Sequence, residues 1–370
     1  MNSDEWRAEV RQFLDEALSA GRFRPAVDNW VQGIDPDFSR ELADRGWVGM
    51  AVPKEYGGRG ESALRRWVVT DELLAAGAPV AAHWIGDRQI APSLLRHGTE
   101  AQKQKYLPGI ASGELFFALG MSESEAGSDL AAIKTRAVRD GAGWRLSGAK
   151  LWTSHAQIAH AVLVLARTEP VGDSRHAGMS QFLVDMDTPG VTVRPIRTID
   201  GKAHFNELIF DDVLLAPEAL LGAEGAGWSQ VTAELAYERS GPERIESTVP
   251  LLLAWGRTIE ASDQRSREEF AGLMARLAVL RHMSFGIAQQ LDRGQVPDTD
   301  AAMVKALGGD FEQQVVSVVS RLAGCQPSFT AERSLADHLA YAITHAPTFT
   351  IRGGASDILR GIVAKGVGLR

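Results

Sequence analysis

The sequence predicts an α+β protein built as an N-terminal helical domain, a middle antiparallel β domain and a C-terminal four-helix bundle. Three observations carry this. Apolar residues recur at three-to-four spacing over residues 1–115, short β-rich runs with no helix between them fill 116–222, and long helical periodicity returns over 223–370. With 370 residues, 45% of them hydrophobic, the chain has enough apolar surface for a sizeable core.

In the first region "WRAEVRQFLDEAL", "DFSRELADRGWVGM", "ALRRWVVTDELLAAG" and "AAHWIGDRQIAPSLLRHG" each carry an apolar stripe and stop at Gly or Pro. "MAVPKEYGGRG" reads as a Pro/Gly-bounded connection between two of them. From Glu114 the pattern changes to "ELFFALGM", "KTRAVRDGAGWRLSGAKLWTS", "HAVLVLART", "SQFLVDMD", "VTVRPI" and "FNELIFDDVLL", with Arg139-Asp140-Gly141 as a hairpin turn. Strands this close together indicate a sandwich or barrel rather than a doubly wound sheet. After "LLGAEGAGW" the periodicity of "GWSQVTAELAYERS" and four further segments is long enough for a four-helix bundle. Gly222, Gly225 and Gly227 follow an antiparallel strand without a βαβ unit, so they open a helix rather than cradle a dinucleotide.

Composition narrows the function classes. The formal net charge of −8 comes from 39 basic and 47 acidic residues spread along the chain, with no basic block to follow a phosphate backbone, so no nucleic-acid partner is expected. No apolar run approaches the roughly 20 residues that span a bilayer, and a cytoplasmic protein with no membrane partner is the expectation. Cys325 is the only cysteine, which excludes disulfides within the chain and reads as a small buried hydrophobe. None of the nine histidines stands in a His-Glu-x-x-His pattern, and no metal is expected.

Two places could carry chemistry. On the helix around Tyr237, Trp228, Val231 and Leu235 share a face, and Glu238 and Arg239 project close to that stripe. Such a pair is either a buried ion pair or a desolvated carboxylate ready to accept a proton. The second place is "LGMSESEAGSD", residues 119–129, followed by "LSGAKLWTSHA". Small residues with hydroxyls and free N–H groups at a strand end, beside the flat face of Trp152, make a cradle for a polar ring edge or simply a surface turn.

In this order "AVPKEYGG", "GMSESEAGSD", "GAKLWTS", "MSQFLVDMDTPGVTVRPI", "FNELIFDDV" and "GGASDILRGIVA" resemble the acyl-CoA dehydrogenase family over essentially the whole chain. The resemblance implies FAD as cofactor and oxidation of an acyl-CoA thioester to the trans-2-enoyl-CoA, in fatty acid or lipid catabolism. A base takes the α-proton and flavin N5 takes the β-hydrogen. It also implies an electron-transfer flavoprotein as acceptor and an oligomer, either of one chain or with a homologous subunit. Carried over by position, Met121, Ser122, Ser128, Trp152, Thr153 and Ser154 would hold the flavin ring, with Ser128 also near the thioester. Ala355, Ser356 and Asp357 would contribute to the cofactor site, and Arg239 and Gly354 to the substrate site.

Gly353 occupies the place of the family's commonest catalytic Glu. In a minority of members the base comes from an earlier Glu-Arg pair, which aligns with Glu238-Arg239. Glu238 is then the expected base, and Gly353 keeps the backbone N–H that polarises the thioester carbonyl. A Glu returned to position 353 is expected to restore part of the activity of a chain lacking Glu238. The family's Arg-x-x-Phe-Gly motif is replaced by "RSREEF" at Arg267, and its Gln-x-x-Gly-Gly stretch by "SRLAGC" at 320–325. These departures leave two alternatives open: a non-catalytic or half-site subunit of a heteromeric enzyme, and a flavin oxidase or monooxygenase on the same fold.

Overall fold

A computed structural model of the chain describes residues 3–239, 241–295, 297–330 and 334–369, the side chains of residues 235–238 excepted. Helices α1 (Ser3–Ser19), α2 (Asn29–Gln32), α3 (Pro36–Asp44), α4 (Ala63–Ala75), α5 (Ala81–Ile85), α6 (Ala91–His97) and α7 (Glu100–Ala111) come first. Strands β1 (Phe117–Gly120), β2 (Arg136–Asp140), β3 (Gly143–Ser154), β4 (Ala161–Arg167), β5 (Met179–Asp185), β6 (Val191–Ile196), β7 (Phe205–Leu215) and β8 (Leu220–Leu221) follow. The chain closes with α8 (Gly227–Glu238), α9 (Val249–Gly256), α10 (Gln264–Asp292), α11 (Asp298–Leu322), α12 (Leu335–Phe349) and α13 (Ser356–Gly366).

Local chemistry starts several helices. Asp35 caps α3 by accepting from Phe38 N, with Pro36 at the first turn, and Ser62 caps α4 by accepting from Arg65 N. α5 runs into α6 through a π-turn at Gly86–Ile90. Helix α7 is an addition to the sequence reading. Its Lys- and Gln-rich stretch has a weak apolar stripe, but Thr99 and Gln102 form a reciprocal capping box that starts it.

The chain divides into two compact units that do not follow chain order. Met1–Ile34, Glu61–Val80 and Ala236–Arg370 make one, which is helical; Asp35–Gly60 and Ala81–Leu235 make the other, which holds the sheet. The helical unit packs around Ile245, Leu252, Trp255, Leu277, Phe311 and Phe349, drawn largely from α9 to α12. Each such side chain contributes about 1.5–3 kcal/mol of burial. Cys325, expected to be buried, is only half-buried, because it lies in the connection after α11 and packs against the edge of that core.

The sheet has eight strands in the order β6-β7-β3-β2-β4-β5-β8, with β1 beside β4. The expected antiparallel pairing holds at β2·β3, β3·β7, β6·β7, β4·β5 and β5·β8. It fails at β4, which pairs in parallel with β1 over four residues and meets β2 at Arg136↔Arg167. Strand β4 is buried on both faces, which explains its unbroken "AVLVLA" run. Val162 and Val164 join Phe210 in one core, while Leu163 joins Ile90, Leu94 and Leu107 of the helices in another. Trp144 of β3 meets Phe182 of β5 edge-on at 5.1 Å although two strands stand between theirs, so the sheet curls over a common core. Among the described residues no helix is long and apolar enough to cross a membrane.

Candidate functional site

The sheet unit carries the polar cradle. Its loop from Met121 to Asp129 is tied to β3 by a buried lysine that sequence reading passed over. Lys150 is fully buried, and its Nζ donates to Met121 O at 3.0 Å and to Glu123 Oε1 at 2.8 Å. Glu123 also accepts from Lys134 N at 2.7 Å and Thr135 N at 3.0 Å, and Leu151 N donates to Ser122 O at 2.8 Å. Burial pushes the Lys150 ammonium down to about 8 against the pull of Glu123. Burial pushes Glu123 up, but Lys150 and the two backbone donors hold it below the usual carboxylate range. At neutral pH the pair is therefore charged, and it fixes Met121 and Ser122 against the strand bearing Trp152 and Ser154.

At the end of β3, Trp152 adopts φ 61 and is 54% exposed, Thr153 is buried and Ser154 half-buried. Ser128 is exposed near the other end of the loop, where Asp129 pairs with Arg175. A largely exposed tryptophan beside the half-buried hydroxyls of Ser122 and Ser154 suits the flat ring and polar edge of a flavin, so these residues fit FAD. The structure thus brings Met121, Ser122, Trp152, Thr153 and Ser154 together, with Ser128 further along the same loop.

The helical unit carries the other sequence-predicted residues. The side chain of Glu238 lies outside the described residues; its backbone ends α8. Arg239, next in the chain, donates from Nε to Gly353 O at 3.2 Å, so the end of α8 and the glycine turn are bonded together. Gly353 and Gly354 have φ 66 and 110, conformations that favour glycine. A Cβ at Gly353 would stand 2.9 Å from Cζ of the buried Arg244, whose guanidinium lies over Trp30 at 5.1 Å. The expectation that a Glu could return to position 353 is corrected by this: its side chain would need the volume of that guanidinium and a left-handed backbone.

Arg352, just before the turn, is itself clamped. Its Nη1 donates to both oxygens of buried Asp28 at 2.7 Å, its Nη2 donates to Ser247 Oγ at 2.7 Å, and His345 Nδ1 lies 2.8 Å from Asp28 Oδ2. Burial opposes ionisation of Asp28, yet Arg352 and His345 hold its carboxyl far below the usual range. Beyond the turn, Ala355 stands at the N-cap position of α13 without a side-chain cap, the Ser356 hydroxyl donates to Thr350 O at 3.3 Å, and Asp357 pairs with Arg360 at 3.2 Å. Arg239, Gly353 and Gly354 are therefore gathered in one place, with 355–357 on the following helix start. Lys150, Arg244 and Asp28 could not be found from sequence, because each partner lies tens to hundreds of residues away.

Family models for the acyl-CoA dehydrogenase N-terminal, middle and C-terminal domains match residues 2–114, 118–213 and 225–368. The chain is 32% identical to the acyl-CoA dehydrogenase IpdE1 of Mycobacterium tuberculosis, covering 98% of this chain and 97% of that one. The solved structure of the Tcur3481-Tcur3483 steroid ACAD superposes with a TM-score of 0.87 at 30% identity, covering 100% and 97% of the two chains. The ChsE4-ChsE5 complex from Mycobacterium tuberculosis gives 0.82 at 28% identity, covering 100% and 97%.

Proposed function

Because the chain belongs to the acyl-CoA dehydrogenase family of FAD-dependent oxidoreductases, we propose that Glu238 removes the α-proton of a bound acyl-CoA thioester and the trans-2-enoyl-CoA leaves as product. The observation that carries the choice of base is the Arg239–Gly353 bond. It ties the residue following Glu238 to the position where the family's commonest base would stand, and Arg244 occupies the space a side chain there would need. Glu238, whose backbone ends α8 just before Arg239, is the residue assigned as base. Arg239 engages the Gly353 carbonyl and holds the turn, and the Gly353 N–H donates to the thioester oxygen, drawing charge from the α-carbon as the proton leaves.

Met121, Ser122, Ser128, Trp152, Thr153 and Ser154 would hold the flavin ring, with Ala355, Ser356 and Asp357 contributing from the start of α13. FAD, when bound, supplies the acceptor of the β-hydrogen as hydride, and an electron-transfer flavoprotein then takes the electrons. The Lys150–Glu123 pair keeps the cradle loop in register with β3. The Tcur3481-Tcur3483 protein is a steroid ACAD, which makes a bulky polycyclic acyl-CoA the first substrate class to try.

The test is Glu238→Gln. The variant keeps FAD and acyl-CoA binding but loses solvent exchange of the substrate α-hydrogen by about 10²- to 10⁴-fold, the contribution of a positioned base. Exchange at the wild-type rate overturns the assignment. One observation favours a heteromeric assembly as a second reading. Where the family motif would place an Arg for a neighbouring subunit's FAD, Arg267 is followed by two acids and donates to Ala261 O of its own chain. The chain purified alone would then hold well under one FAD per subunit, and a homologous partner would restore it. A homo-oligomer with one tightly bound FAD per chain rejects that reading and leaves Glu238 as base.

A further inference from the structure

Trp152 and His155 are non-glycine residues in the left-handed region, at φ 61 and 59, within one four-residue stretch. For a bulky side chain such as Trp this is an outlier that persists only where its surroundings over-determine it. The stretch lies at a register shift in which Lys150 pairs with Leu208 and Thr153 with Asn206, so β3 carries one more residue than β7. Two buried side-chain atoms there, Thr153 Oγ1 and Asn206 Oδ1, have no hydrogen-bond partner among the described residues. Folding alone does not favour such an arrangement, and it stands beside the indole face and hydroxyls of the cradle.

What holds it is a side chain from the neighbouring strand. Asn206, fully buried on β7, donates through Nδ2 to Thr153 O at 3.1 Å and to Gln157 Oε1 at 2.6 Å, while His155 N donates to His204 O at 2.9 Å. The Thr153 carbonyl belongs to the peptide between Thr153 and Ser154. Fixing it sets the direction of the Ser154 hydroxyl on one side and the turn of Trp152 on the other.

We propose that Asn206 is a positioning residue for the flavin cradle, its side-chain amide locking the Trp152–Ser154 segment in the bulged, left-handed form that presents the indole face and the Ser154 hydroxyl to the cofactor. This rests on the proposed assignment of Trp152 and Ser154 to FAD. Asn206 touches neither cofactor nor substrate; it acts through the backbone.

The experiment is FAD titration into apo-protein, with any partner needed for binding present. It is read by flavin fluorescence and by the position of the visible absorption band, beside the thermal midpoint of each apo-protein. Asn206→Asp is isosteric but cannot donate to the Thr153 carbonyl, and Asn206→Ala removes the amide. Both are expected to weaken FAD binding about 10- to 100-fold, the effect of losing one buried hydrogen bond and leaving its acceptor unpaired, and to shift the flavin band. Trp152→Ala and Ser154→Ala serve as reference variants of the cradle. If these weaken FAD while both Asn206 variants bind it as wild type does, the inference is overturned and the cradle stands. Should none of the four alter FAD binding, the cradle assignment fails and the inference with it. An equal loss of apo-protein stability and affinity with an unmoved flavin band marks Asn206 as merely structural and overturns the proposal. Gln157 is exposed, so Gln157→Ala folds even where the Asn206 variants do not. Freed from its second acceptor, Asn206 holds the carbonyl less firmly, and FAD binding is expected to fall severalfold. Wild-type affinity in that variant, with the Asn206 variants unfolded, also overturns the proposal.

Discussion

Replacing Arg352 by methionine is expected to destabilise the helical unit by about 3–5 kcal/mol, the cost of removing one partner of a buried, hydrogen-bonded charge pair. The structure sets the scale. Arg352 gives two bonds of 2.7 Å to Asp28 and one to Ser247, and its guanidinium lies 4.6 Å from the centre of the Trp30 ring, all in buried surroundings. Bonds to charged groups are each worth about 1.5–3 kcal/mol, but a simple sum overshoots, because Asp28 keeps His345 as a partner and takes up a proton once the arginine is gone. Asp28→Asn removes the charge while keeping the shape. The double variant is then expected to lose less than the two single losses added, by about 0.5–3 kcal/mol. The assay is urea unfolding of all four proteins, compared at unchanged slope. Because the folded-state pKa of Asp28 is depressed, its contribution is fully present above about pH 4 and is lost as pH falls, a loss that Asp28→Asn does not share. An Arg352→Met protein within about 1 kcal/mol of wild type, or a strictly additive cycle, would refute the reasoning.

Two other outcomes follow from groups already described or close to them. His83 of α5 is buried with Nδ1 2.8 Å from Ser39 Oγ, and burial pushes its pKa down to about 4. The unfolded chain binds that proton first, so stability is expected to fall as pH drops from about 6.5 to 4, by up to roughly 3 kcal/mol, and His83→Gln should flatten that segment of a pH–stability curve. Gly353→Glu combined with Glu238→Gln is expected to stay inactive and to unfold at a lower temperature than Glu238→Gln alone. Recovered turnover would show that Arg244 yields its place.

The parts of the fold that sequence revealed are those written in neighbouring residues. The stripes of α1, α3 and α4 and the alternation along β3 and β7 are local patterns, and so is the Asp140-Gly141 turn. Helix α7 was equally local, but its signal was the capping pair Thr99 and Gln102 rather than an apolar face. At the candidate site, Trp152 and Gly353 could be named from their motifs, whereas their conformations could not. A left-handed tryptophan carries no mark in the sequence, and its support comes from Asn206, 54 positions on. Nor does a glycine pair announce that a guanidinium from residue 244 crowds it, since that contact exists only once the chain has folded back.

The order of the units has a consequence for biosynthesis. A ribosome releases residues 81–235 as one continuous stretch, so the sheet and its covering helices have nearly all their partners while the chain is still growing. The helical unit does not. Helix α1 and the arm bearing Asp28 emerge at the start, yet Arg352 and His345, which hold that arm, come more than 300 residues later. At about 5–20 residues per second the arm bearing Asp28 waits on the order of half a minute for Arg352 and His345, whereas helix α1 meets its partner α4 soon after it emerges, so the late docking of this arm is the step that slow synthesis prolongs.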